Sequence, residues 1–287
     1  MSRVVYVNGR YQPWSEALVH AEDRGFQFGD AVYEVCEVID GRLVDEVRHM
    51  DRLERSLGEL SIAKPMSRPA WARVMRETVR RNKVRDGSIY LQVSRGVAQR
   101  DFLFPKAGVR PTVVCLARPA NKAKADAKAS VGIGVITRPD PRWERCDIKT
   151  VMLLPASLAK EAAKKEGAGE VWFTDRDNNV TEGGSSNAWI VTRDGVLVTR
   201  PATNAILRGI TRTTLMDVLR REGLKFEERA FTVAEALEAR EAFLTSATNV
   251  VMPVVRIDGR SVANGAPGSL SLRLRDIFHE VAAISET

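Results

Sequence analysis

Residues 31–60, AVYEVCEVIDGRLVDEVRHMDRLERSLGEL, change periodicity halfway along. Up to Ile39, apolar and polar side chains alternate with the period of a strand. Asp40-Gly41 is a hairpin turn pair, and RLVDEV at 42–47 reads as the returning strand. From His49 to Leu60 the period becomes that of a helix, with Met50, Leu53, Leu57 and Leu60 on one face. A strand pair followed by an amphipathic helix is the unit of a mixed α/β fold. Within the strand, Tyr33 and Val35 project to the same side, since residues i and i+2 do.

The same alternation of signals continues outward. VVYVNGRYQPW at 4–14 folds back at Asn8-Gly9, and Ser67 with Pro69 starts a helix reaching about Asn82. Residues 88–94 and 112–117 read as strands. PANKAKADAKA at 119–129 has no large apolar residue and reads as a linker. Beyond it, Val131, Ile133, Val135 and Thr137 alternate as a strand, and 157–166 form a helix capped by Ser157. Strands follow at 170–174 and at 187–199, the latter folded back at 193–195. A helix runs from Ile210 to Arg221, another starts with the capping box Thr232 to Glu235, and strands lie at 242–245 and 254–257. The expected fold class is α/β of the α+β type. It comprises two mixed α/β domains, 1–119 and 130–287, joined by the linker 120–129.

Composition excludes several chemistries. The 287 residues include 44 basic and 37 acidic side chains, for a net charge of +7, with only three histidines and three cysteines. His20, His49 and His279 lie too far apart for a zinc motif, so no metal is expected. Cys36, Cys115 and Cys146 form no CxxC pair and read as buried thiols of a reducing compartment. No run of like charge interleaves with aromatics, which argues against nucleic acid. No stretch has the length of a membrane span, and MSRVVYVNGRYQPW lacks a signal-peptide core; the expectation is a cytoplasmic protein without membrane partners.

Four stretches could carry chemistry. Lys149, in RCDIKTVMLLP, precedes an apolar run, and an apolar neighbourhood favours a neutral, nucleophilic amine. Glu182, in VTEGGSSN, sits beside two glycines that allow close backbone approach to a ligand. In LRGITRTTL at 207–215, Gly209 precedes a helix whose first amides, at Ile210 and Thr211, suit a phosphate, and TSATN at 245–249 is a second hydroxyl-rich turn. Taken singly, each reads equally as ordinary structure: a solvated loop lysine, a surface turn, a helix cap.

Their order is more specific. DRGFQFGDAVYEV at 23–35, HMDRL at 49–53, RCDIK at 145–149, TEGGSSN at 181–187 and LRGITR at 207–212 together resemble the fold-type IV (class IV) pyridoxal-phosphate aminotransferases, closest to the D-amino acid transaminases. The resemblance runs over essentially the whole chain. It implies pyridoxal 5'-phosphate as cofactor at the domain interface, a homodimer closed by partner-chain loops, and transfer of an amino group between a D-amino acid and a 2-oxo acid. Lys149 matches the Schiff-base lysine, Glu182 the carboxylate facing the pyridine nitrogen, and Arg52 the arginine that pairs with the phosphate. Ile210, Thr211, Ser246 and Ala247 match the rest of the phosphate cup, and Leu207 the residue packed on the ring. Tyr33, Val35, Tyr90 and Arg100 match the substrate pocket. Two positions depart from the family. Phe102 replaces the histidine of the Arg-x-His carboxylate trap, and Ala247 replaces a phosphate-binding threonine, a loss of about 1 kcal/mol in cofactor binding. A branched-chain L-amino acid aminotransferase, an (R)-selective amine transaminase and an aminodeoxychorismate lyase share the same core residues.

Overall fold

The computed structural model describes residues 3–285, which group into two compact units. Unit 1 comprises Met1–Lys122, Ile148–Met152 and Ala283–Thr287; unit 2 comprises Ala123–Asp147 and Leu153–Ala282. Among the described residues, no helix is long and apolar enough to cross a membrane.

In unit 1, β1 (Val4–Val7) and β2 (Arg10–Pro13) form the first hairpin, and α1 (Arg24–Phe28) leads into β3 (Ala31–Ile39). β4 is only Arg42–Leu43, because Asp45 takes a left-handed conformation (φ 52°) and ends the extended run. The expected strand 42–47 is therefore cut short, and α2 (Glu46–Glu59) begins three residues earlier than its periodicity suggests. α3 (Arg68–Arg81), β5 (Gly87–Ser94) and β6 (Thr112–Pro119) complete the unit. The six strands form one antiparallel sheet in the order β2-β1-β6-β5-β3-β4. Met50, Leu53 and Leu57 of α2 are buried in the core with Val32, Cys36 and Val38 of β3. Each such side chain contributes about 1.5–3 kcal/mol.

Unit 2 opens with α4 (Lys122–Val131). The linker-like stretch is thus helical, because alanine and lysine are strong helix formers even without an apolar face. β7 (Ile133–Pro139), α5 (Leu154–Lys165) and β8 (Glu170–Thr174) form a parallel crossover. α5 starts at Leu154 with Pro155 in its first turn, so Ser157 lies inside the helix and not at its cap. β9 (Val180–Gly183), β10 (Asn187–Val191), β11 (Leu197–Thr199), α6 (Ile210–Arg221), β12 (Phe226–Glu228) and α7 (Val233–Glu238) follow. The Thr232 hydroxyl accepts from the Glu235 amide at 3.1 Å, realising the expected cap. β13 (Glu241–Ser246), β14 (Val250–Ile257), β15 (Arg260–Ser261) and α8 (Ser269–Val281) end the chain. The strands run β12-β11-β10-β13-β14-β7-β8-β9, with β15 beside β14. Trp189 stacks on Phe243 at 5.7 Å in the buried centre of this sheet.

Candidate active site

In unit 1 the residues 149–151 lie along the free edge of β3. Tyr33 N–H donates to the Lys149 carbonyl at 3.0 Å, Val151 N–H donates to the Ala31 carbonyl at 3.1 Å, and Thr150 bridges Val32. This short ladder fixes the backbone of a lysine more than one hundred residues away in sequence. Its Nζ lies 4.2 Å from the Tyr33 ring centroid, a cation–π distance. The apolar run after it does not close around the amine: Met152, Leu153 and Leu154 are exposed. An aromatic face, and not the expected aliphatic pocket, is what the structure sets beside Lys149.

Tyr33, Val35 and Tyr90 share one sheet face, as β3 and β5 pair Val35 with Tyr90 and Tyr33 with Gln92. Tyr33 and Tyr90 stack at 5.6 Å, and the Tyr90 hydroxyl donates to Gln92 Oε1 at 2.6 Å. Burial pushes the Tyr90 hydroxyl far above its ordinary value, so it stays a neutral donor. The opposite face carries Glu34, fully buried. Arg52 grips it through Nε and Nη2, each at 2.7 Å, and His49 Nδ1 lies 2.7 Å from its second oxygen. Burial alone would raise the Glu34 pKa; Arg52 and His49 outweigh it and hold the carboxyl at about 2. Arg52 therefore has a fixed guanidinium plane. Arg100 is not brought to Tyr33 or Lys149 within this chain. It is exposed on the loop after β5, with its guanidinium 5.4 Å from the Phe28 ring and 5.8 Å from that of Phe102, itself 82% exposed.

In unit 2, Glu182 lies in strand β9 and not in a surface turn, and it is buried. Asn187 Nδ2 donates to its Oε2 at 2.9 Å, the Leu207 amide donates to both oxygens at 3.1 and 3.2 Å, and Arg142 Nη1 donates to Oε1 at 2.6 Å. Such a carboxylate is held ionised and in one orientation. The same Asn187 amide also donates to the Leu207 carbonyl at 2.9 Å, tying β10 to the segment before α6. A Cβ at Gly209 would meet Asn187 Oδ1, so a larger residue there would have to displace the Asn187 side chain. No side chain caps α6, whose first amides belong to Ile210 and Thr211, and Thr211 is buried. Cross-strand pairing of Asn187 with Thr245 brings the turn 246–249 to the same end of the sheet. There Ser246 Oγ accepts from the Asn249 amide at 3.2 Å, and Ala247 offers only its backbone.

These features fit pyridoxal phosphate: a positioned amine on Lys149, a fixed anion on Glu182 for a ring nitrogen, and an uncapped helix start for a phosphate. The thiols do not compete, since burial pushes Cys115 up to about 12 and Cys146 up to about 11. Among the described residues no group of side chains could hold a metal. Sequence reading did not single out Glu34, His49, Asn187, Asp140 or Arg142. Glu34, His49 and Asn187 stood inside quoted motifs and Asp140 and Arg142 did not, but all of them meet their partners only through folding.

The sequence pattern of the amino-transferase class IV family matches residues 31–257. A D-alanine aminotransferase of Bacillus licheniformis is 40% identical over 283 residues, covering 99% of this chain and 98% of its own. One of Staphylococcus haemolyticus is 38% identical over 276 residues, 96% of each chain. Among solved structures, the Escherichia coli branched-chain amino acid aminotransferase shares the fold with a TM-score of 0.90 at 23% identity, over 98% of this chain and 95% of its own. A hypothetical aminotransferase from Mycobacterium tuberculosis in a PLP-bound form gives 0.85 at 26% identity, over 97% and 98%. A match of this extent reaches residues of both units, and the chain belongs to the class IV aminotransferases, enzymes that work with pyridoxal 5'-phosphate.

Proposed function

We propose that the enzyme is a D-amino acid transaminase, exchanging an amino group between a D-amino acid and a 2-oxo acid, such as D-alanine and 2-oxoglutarate, in two half-reactions. The observation that carries this reading is the 40% identity to a D-alanine aminotransferase over nearly the whole of both chains. Bound pyridoxal phosphate supplies an aldehyde for the amino group and a protonated ring that draws electrons from the substrate α-carbon. Lys149 would hold that aldehyde and would serve as the base that moves the α-proton. Its place on the edge of β3 supports this role, because a base must be held at a defined position. Glu182 keeps the ring nitrogen protonated, a role supported by its burial and its fixed donors. Arg52, the amides of Ile210 and Thr211, Ser246 and the Ala247 amide take the phosphate, and Leu207 packs on the ring. Tyr33, Val35 and Tyr90 line the substrate pocket, and Arg100 receives the substrate carboxylate.

The proposed assembly is a cytoplasmic homodimer. Exposed Phe26, Phe102 and Leu103 in unit 1 support a self-association surface, and three free cysteines support a reducing compartment. A branched-chain L-amino acid aminotransferase is the second reading, favoured by Phe102 where the D-amino acid group has a histidine. Half-reactions with D-alanine, D-glutamate and L-leucine, followed by the visible absorbance of the cofactor, separate the two. Conversion by L-leucine alone would overturn the D-specific reading. Lys149→Ala should lose the absorbance of lysine-bound cofactor and nearly all turnover; retained turnover would remove Lys149 from its role.

A further inference from the structure

Arg142 lies in the stretch between β7 and the catalytic lysine, and its contacts pose an electrostatic problem. Its Nη1 donates to Glu182 Oε1 at 2.6 Å. An arginine on the carboxylate that must sustain a pyridinium competes with that pyridinium for the same negative charge. Taken as a pair, Arg142 and Glu182 are neutral and offer the ring nitrogen little reason to keep its proton.

Asp140 changes that balance. Its Oδ1 accepts from the Arg142 Nε at 2.9 Å and from the Arg142 amide at 3.1 Å, and its Oδ2 accepts from Arg142 Nη2 at 2.8 Å. The Thr181 hydroxyl, from the residue beside Glu182 in β9, donates to the same Oδ2 at 2.9 Å. The guanidinium is thus gripped on one side by Asp140 and presents its remaining edge to Glu182, over the Phe173 ring at 4.9 Å. The three side chains carry a net charge of −1, with the arginine shared between two acids. Nearby Cys146 adds no charge at neutral pH, since burial pushes its thiol up to about 11.

We propose that Asp140 and Arg142 are positioning residues for the cofactor ring: Arg142 orients Glu182, and Asp140 cancels the arginine's charge so that Glu182 still acts as a full anion. This inference rests on the reading of Glu182 as the partner of the ring nitrogen. It assigns to Asp140, acting through Arg142, control over the protonation of the ring. Thr181 holds Asp140 in the orientation that makes the cancellation effective.

The test uses the holoenzyme loaded with cofactor 15N-labelled at the ring nitrogen, whose chemical shift reads protonation directly, together with the dissociation constant of the cofactor. Asp140→Asn, nearly isosteric, should lower the proton affinity of the ring nitrogen by about tenfold or more, moving its titration down by about one pH unit. Arg142→Lys, which keeps the charge but not the two-sided grip, should leave the titration close to wild type while weakening cofactor binding severalfold. Glu182→Gln tests the underlying reading and should deprotonate the ring at neutral pH. If Glu182→Gln deprotonates the ring while Asp140→Asn titrates like wild type, the present proposal fails and the reading of Glu182 stands. If Glu182→Gln leaves the nitrogen protonated, both fall.

Discussion

Glu34 shows what a single side chain can impose on its unit. β3 sends Val32, Cys36 and Val38 into the core and places a carboxylate between them, a site that burial alone would neutralise. Arg52 and His49 instead hold it ionised, at about 2 against an ordinary 4.5. A depressed carboxyl contributes stability that is present above its unfolded value and lost as pH falls through the folded one. The window is therefore about 4.5 to 2, and it carries about 3 kcal/mol. His49, lowered from 6.5 by burial despite Glu34, adds an earlier loss, because the unfolded chain takes up that proton first as pH falls. Urea unfolding should thus show stability declining below about pH 6.5 and steeply below 4.5. Glu34→Gln should cost about 3–5 kcal/mol at pH 7, since it removes the buried anion that faces Arg52 and His49, and should flatten the steeper limb. A cost under about 1 kcal/mol would mean that Arg52 finds another anchor. Arg100, by contrast, is exposed and stacked on phenylalanines. If it traps a carboxylate, Arg100→Ala will raise KM for amino acids at least about tenfold more than for simple amines, the worth of one charged hydrogen bond. Equal losses would assign the carboxylate elsewhere.

At the scale of elements, local signals were readable wherever neighbours in sequence decide the outcome. α6 spans Ile210–Arg221 as its spacing predicts, and the cap at Thr232 forms as the motif implies. The misreadings at RLVDEV and Glu182 share a cause, which is dependence on distant partners. RLVDEV has the alternation of a strand, yet the Asp45 amide donates to the Ala283 carbonyl from the far end of the chain, and the helix starts there. Glu182 looked like part of a turn because of its glycines, but β8 pairs with that segment and makes it a strand. Arg142 and Glu182 are forty residues apart, and nothing along the chain links them before folding. α8 is capped in the same long-range manner. Glu241, on β13, accepts from the Leu270 and Ser271 amides at 3.0 and 2.8 Å, directly against Gly268. A methyl group at 268 would collide with that carboxylate, so Gly268→Ala should destabilise by about 1–3 kcal/mol. Glu241→Ala removes both the cap and the obstacle. The double variant should then be less destabilised than the sum of the two singles, and additive melting temperatures would exclude the clash.

On the scale of the whole molecule, neither unit is one continuous stretch. The chain passes from unit 1 to unit 2 after Lys122, returns for Ile148–Met152, leaves again, and returns at Ala283. Unit 1 therefore lacks the segment that carries Lys149 until midway along the sequence, and the bridge from Val44 to Ile284 until much later. A fragment of residues 1–119 should show little fixed tertiary structure by near-ultraviolet circular dichroism, although it contains all six strands of its sheet. A native-like spectrum would show that the two returning segments are dispensable to the fold. This threading also dictates an order of assembly on the ribosome. Between the emergence of β6 and that of Ile284 lies more than half of the protein, on the order of ten seconds of synthesis or longer. Through that interval the first sheet waits with its α2 anchor unfinished, although the segment that carries Lys149 emerges about thirty residues after β6. The two returning segments thus reach the first sheet at different times, and the start of α2 is tied down only once residues 283 and 284 have left the ribosome.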